Sequence, residues 1–125
     1  MKAAQKARLK LRCPITLERD PQITIPDGWF TLVYQMCADI EDIAQQIKRK
    51  RRQRLFLPRI SFIEEQMGKL ACEVINSNRD IAAIIKRAQM RSVQLCMYCG
   101  NEARQFRRDG SLITCCDRHR RQFSQ

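Results

Sequence analysis

Residues 96–119 open with Cys96-Met97-Tyr98-Cys99-Gly100 and close with Cys116-Asp117-Arg118-His119, and sixteen residues separate Cys99 from Cys116. Two thiols two residues apart, followed by a glycine, suit a tight knuckle that turns both sulfurs to one point. Glycine there avoids a Cβ clash and lets backbone N–H groups face the thiolates. The second pair has the same spacing, which fits the first turn of a short helix with both side chains on one face. Between the pairs, Asp109-Gly110 stands between alternating flanks, a strong hairpin signal. Structural Zn2+ takes four such soft or borderline ligands in a tetrahedron. Cys96, Cys99, Cys116 and His119 are therefore the expected ligands of one structural Zn2+. Knuckle, hairpin and ligand-bearing helix together make a treble-clef-like module over residues 93–125. Cys115 is the alternative third ligand, with a three-residue gap to His119; strand alternation and the shorter gap favour Cys116.

Upstream of the module, Ile81, Ile84, Ile85 and Ala88 mark an amphipathic helix from about Arg79 to Arg91, with Ser77 and Asp80 spaced like a capping box. Alternation in Ile60/Phe62 and in Leu70/Cys72/Val74 predicts two short strands, with Gly68 in their connection, where positive φ is needed. Further back, Phe30, Val33, Cys37, Ile40, Ala44 and Ile47 recur at intervals of three and four, and Trp29, Leu32, Met36 and Ile43 widen the stripe. This predicts a long helix from about Trp29 to Lys50, with Asp27 as its N-cap and Asp39, Glu41, Asp42, Gln45 and Gln46 mostly on its polar side. Pro14, Pro21 and Pro26 make residues 13–26 an extended connector. Residues 1–12 read as a basic arm of moderate helical propensity. The expected fold is α+β: a long amphipathic helix, a short β-hairpin, a second helix and the metal module. The expected divisions are 1–26 for arm and connector, 27–92 for the core and 93–125 for the module.

Charge supplies the next constraint. The 125 residues carry 24 Lys and Arg against 13 Asp and Glu, a net charge of +11. The excess is segregated: Lys48, Arg49, Lys50, Arg51, Arg52 and Arg54 crowd the end of the long helix, whereas residues 13–47 hold Glu18, Asp20, Asp27, Asp39, Glu41 and Asp42 against Arg19 alone. Six cations in seven residues far exceed what capping a helix C-terminus requires. They read as phosphate contacts, joined by Arg104, Arg107, Arg108, Arg118, Arg120 and Arg121 of the module into one extended basic surface. The expected partner is nucleic acid, DNA in preference to RNA, or a nucleoprotein complex.

Seven cysteines, four of them in the last 30 residues, do not suit a secreted disulfide framework. Cys13, Cys37 and Cys72 read as small apolar residues. The N-terminus shows no signal-like apolar run, and no stretch approaches the roughly 20 apolar residues of a membrane span. The expectation is a reducing, cytoplasmic setting without membrane contact. A closed four-ligand site leaves no position for water, and no acid pair, Ser/His/Asp set or Gly-rich phosphate loop stands elsewhere in the sequence. Neither enzymatic activity nor a small-molecule substrate is expected.

Gly28-Trp29, the Gln66-Met67-Gly68-Lys69-Leu70 connection, Cys96–Gly100 and Cys116–His119 occur in this order over residues 27–120. In this the chain resembles a family of uncharacterised small phage and mobile-element proteins with a Gly-Trp helix start, a Lys-Phe-Gly-Gly-Leu-type connection and a CxxCG…CxxH module. Met67 and Lys69 replace that pattern's aromatic and second glycine. The resemblance implies an α+β fold, Cys116 as the third ligand and a phage or mobile-element origin, and it carries no established activity. The expected function is a zinc-stabilised nucleic-acid-binding accessory or regulatory protein. The alternative is a protein-interaction factor of inhibitor type, acting on a host defence or nucleoprotein complex.

Overall fold

The long apolar stripe forms the longest element of the structure, a computed structural model that describes residues 1–51 and 56–123. In chain order the elements are α1 (Ala3–Arg12), β1 (Gln22–Thr24), a 3-10 turn (Asp27–Trp29), α2 (Phe30–Arg51), β2 (Arg59–Gln66), β3 (Lys69–Ile75), α3 (Arg79–Ser92), β4 (Arg104–Arg108), β5 (Ser111–Cys115) and α4 (Asp117–Phe123). The fold is α+β, as the periodicities predict.

One sheet has the order β1-β2-β3, with β1 parallel and β3 antiparallel to β2. Met67 and Gly68 join β2 to β3, both at positive φ (52° and 77°), as a two-residue hairpin turn demands. Ile63 and Leu70 from the sheet, Val33 and Ile40 from α2 and Ile81 from α3 meet in one cluster around the fully buried Trp29. Each such side chain contributes roughly 1.5–3 kcal/mol by leaving water.

Residues 1–12 are a docked helix, not a free arm. Leu9 of α1 is fully buried in the main cluster. Lys6 and Lys10 reach Asp20 at 3.6 and 2.5 Å, Arg12 reaches Asp42 at 2.9 Å, and the Arg8 guanidinium lies over the Phe30 and Tyr34 rings. Leu9 anchors this helix on the core, and one buried leucine leaves no stripe to read in the sequence. Within the proline-containing connector, Gln22–Thr24 form β1, paired with Phe62–Glu64 some forty residues later.

Glu41 does not lie on the polar side of α2: it is fully buried. Its carboxylate accepts from the Ile15 and Thr16 amides (3.2 and 2.9 Å), the Thr16 hydroxyl (2.9 Å) and the Gln45 side chain (2.6 Å). It thus satisfies backbone donors that the turn after Cys13 leaves without a partner. Two caps also differ from expectation. Asp27 opens the 3-10 turn rather than capping α2, and Pro26 precedes it. Asn78, not Ser77, caps α3, its Oδ1 accepting from the Ile81 amide at 2.8 Å. Among the described residues no helix is long and apolar enough to cross a membrane.

Candidate metal centre

The knuckle forms because its backbone is bonded on itself: Gly100 N–H donates to Cys96 O at 2.9 Å, and Cys96 N–H donates to Asn101 O at 2.8 Å. Gly100 has φ 78°, the left-handed conformation that glycine enters without a Cβ penalty. Asp109 and Gly110, at φ 49° and 82°, close the β4–β5 hairpin, whose register runs from Arg104↔Cys115 to Arg108↔Ser111. That hairpin delivers Cys116 to the start of α4. Arg120 N–H donates to Cys116 O at 2.9 Å, setting His119 one turn on.

The Sγ atoms of Cys96, Cys99 and Cys116 and a ring nitrogen of His119 converge, all within 4.8 Å of one another. Cys96 Sγ lies 3.5 Å and Cys116 Sγ 3.2 Å from His119 Nδ1, and Cys99 Sγ lies 3.7 Å from Cys116 Sγ. The edges of a zinc tetrahedron with these ligands are about 3.6–3.8 Å. The four residues could therefore hold one Zn2+ ion with little rearrangement. Burial pushes the Cys96 thiol up, but the amides of Cys116, Cys99 and Tyr98 outweigh it and hold it at about 6. The Cys96 thiolate is thus favoured. At Cys99 the Asn101 amide is outweighed by desolvation and by the neighbouring Cys96 and Cys116 sulfurs, which hold that thiol above its ordinary value. Tyr98 stacks on the His119 ring at 5.3 Å between centroids and limits its rotation. Cys115 lies outside the ligand set: it is buried, and desolvation with the neighbouring Cys96 and Cys116 raises its thiol to about 11.

Two glycines seat this module on the core. Gly28 N–H donates to Met97 O at 2.9 Å, and a Cβ at Gly28 would stand 2.0 Å from the Cys96 carbonyl oxygen. Gly68 O accepts from the buried Thr114 hydroxyl at 2.6 Å. Trp29 adds its indole N–H to Leu95 O at 3.0 Å. Sequence reasoning missed Thr114 and the docking role of Gly28. The one available signal was a glycine at a helix start, where it weakens the helix unless something presses against it.

The predicted basic residues that are described stand on three elements, β4, α4 and the end of α2. Arg104, Arg107 and Arg108 on the hairpin and Arg118, Arg120 and Arg121 on α4 are all exposed. The Arg120 guanidinium lies 5.4 Å from the Phe106 ring centre, and Arg104 lies 3.8 Å from Asp117. Lys48, Arg49 and Lys50 are exposed at the other end of α2. Arg52 and Arg54 lie outside the described residues, as does the side chain of Arg51. The module touches the 3-10 turn ahead of α2 at Gly28, and Lys48 lies near the far end of that helix. Comparison with protein-family models, with curated proteins and with solved structures gives no match for the chain.

Proposed function

We propose that the chain is a zinc-stabilised nucleic-acid-binding accessory or regulatory protein, of the kind phages and mobile elements carry. The observation behind this reading is the display of six exposed arginines by a hairpin and a helix that the metal ligands tie together. Arginine on a rigid frame gives planar, multidentate contacts to phosphate. Among the acids of residues 13–47, Glu41 is buried, and Asp20 and Asp42 are paired with cations of α1 and Glu18 with Arg59 of β2 while staying exposed. In this reading the four ligands fill the tetrahedron of the zinc, so the ion acts on folding and no reaction is catalysed.

Binding to duplex DNA, single-stranded DNA and RNA over a salt series tests the reading. Backbone contacts by about six cations give a log K against log salt slope near −5 on duplex. Binding that ignores salt, or none at low salt, overturns it. A host protein retained on the chain after nuclease treatment directs the basic surface to an acidic protein face instead, the inhibitor-type alternative.

A further inference from the structure

The seat of the knuckle on the core leaves a cleft beside it. Gly28 of the 3-10 turn and Gly100 of the knuckle meet backbone to backbone, so that a Cβ at Gly100 would fall 2.9 Å from Gly28 O. Neither residue brings a side chain into the gap. A cleft of about 540 Å3 opens there between the knuckle, α2 and the end of α3, within the roughly 300–1,000 Å3 of small-molecule sites. Leu32 and Leu95, both half-buried, give it apolar surface, and the Tyr98 ring stands in its wall, 43% exposed. His119 stacks on that ring at 5.3 Å and does not itself line the cleft. Tyr98 is thus backed by a residue of the candidate metal centre while part of it faces the open space.

The polar lining narrows what can enter. Asp27 stands 4.0 Å from the Met1 amine, and Arg91 reaches Glu102 at 2.6 Å. Each charge on the cleft therefore has its own counter-charge, which suits a neutral occupant and not a phosphate. The other polar groups offered are mainly acceptors. They are the carboxylate of Asp27, 62% exposed, the Thr31 hydroxyl, and the carbonyl oxygen of Gln35, whose Nε2 donates to Asp39 at 2.9 Å. An aromatic wall, apolar surface and a rim of acceptors fit a flat neutral ring with amino groups at its edge.

We propose that this cleft takes one unpaired nucleobase, stacked on Tyr98 with its amino edge toward Asp27, Thr31 and Gln35. A base in a duplex keeps its faces stacked and that edge paired, so the site acts on single strands or on free nucleotides. For a strand, the inference rests on the nucleic-acid reading above: arginines of the module hold phosphates, and the cleft holds one base. Stacking alone tolerates every base, whereas the acceptor rim favours cytosine, adenine and guanine over thymine and uracil. An ion held by Cys96, Cys99, Cys116 and His119 would fix the platform, since Tyr98 lies within the knuckle.

The test is binding of the metal-loaded full chain to oligo-dC, to oligo-dT, to an abasic strand of equal length, to duplex and to free cytidine monophosphate. Oligo-dC should bind about ten-fold or more tighter than the abasic strand, which keeps the phosphates, and several-fold tighter than oligo-dT. Tyr98→Leu keeps an apolar body over His119 and should remove the gain over the abasic strand, while Tyr98→Phe keeps it. Duplex affinity should be the same in both variants. Thr31→Gln narrows the cleft from an exposed helix position away from the metal ligands, and it decides the question should Tyr98→Leu lose metal. Cytidine monophosphate should move the amide signals of Gly28, Thr31 and Gly100. Oligo-dC bound no tighter than the abasic strand or than oligo-dT, or indifferent to both Tyr98→Leu and Thr31→Gln, overturns the proposal and leaves the nucleic-acid reading standing. Cytidine monophosphate that moves those signals while no strand binds at low salt supports the cleft as a free-nucleotide site and overturns that reading. Silence from strand and monophosphate alike overturns both.

Discussion

The core and the metal module solve the same problem by different means. Residues of α1, α2, α3 and the three-stranded sheet bury Leu9, Trp29, Val33, Ile40, Ile63, Leu70 and Ile81 together. The module gathers only Cys96, Cys115 and Cys116, with Ala103 and Phe106 partly buried against them. A hairpin and a two-turn helix cannot bury enough apolar surface to offset the entropy of ordering them. Four side chains able to hold a metal converge there instead, and one bound ion would supply what the missing core does not. The two parts are thus differently built: one rests on apolar volume, the other on a cluster of potential ligands.

Metal removal should break the comparison most severely. Structural zinc contributes about 10–16 kcal/mol to folding in isolated finger peptides. Exhaustive chelation, or Cys99→Ser, should therefore collapse the amide dispersion of residues 93–123 while signals from α2 and α3 persist. Unchanged thermal stability after complete metal removal would count against the metal-built module.

The next variant attacks the junction rather than either part. Gly28→Ala drives a Cβ to 2.0 Å from the Cys96 carbonyl oxygen and 2.8 Å from the Gly100 nitrogen, both backbone atoms that cannot swing aside. A loss of about 2–4 kcal/mol is expected. The metal stays bound, and hydrogen exchange at the Gly28 amide accelerates. Loss of metal instead would show that the module depends on its seat to form.

Within the core, Glu41→Gln presents an amide N–H2 to donors that a carboxylate now satisfies. About 2–3 kcal/mol should be lost in urea unfolding, with metal stoichiometry untouched. The smallest expected effect sharpens the ligand assignment. Cys115→Ala should cost about 1 kcal/mol and retain one metal per chain, whereas Cys116→Ala should lose tight binding. Titration with a colorimetric chelator distinguishes the two, and equal losses would reopen the choice between the adjacent cysteines.

What was legible in the sequence is what is local. The ligand spacing, Asp109-Gly110 and the stripes of α2 and α3 act over a few residues, and each appears where its pattern places it. What was not legible depends on distant partners. β1 is three residues long and exists because Ile23 meets Ile63. α1 presents one buried leucine, Leu9, whose partners in the core come from distant elements, and its cations meet Asp20 and Asp42 at the surface. Glu41 reads as a solvated charge until Thr16 folds back onto it. Gly28-Trp29 and Gly68 are contact points between core and module. A motif scattered over forty residues thereby acquires one physical meaning, the docking of two differently built parts.

The length of α2 also bears on the proposed nucleic-acid reading. Lys48 to Lys50 sit near the end of a 22-residue helix whose other end adjoins the knuckle, while the arginines of the module stand on β4 and α4. A duplex held by both groups would need a minimum length: shorter ones would engage one group at a time, and longer ones would make the second contact intramolecular. Affinity plotted against oligonucleotide length should then climb in a step rather than a ramp.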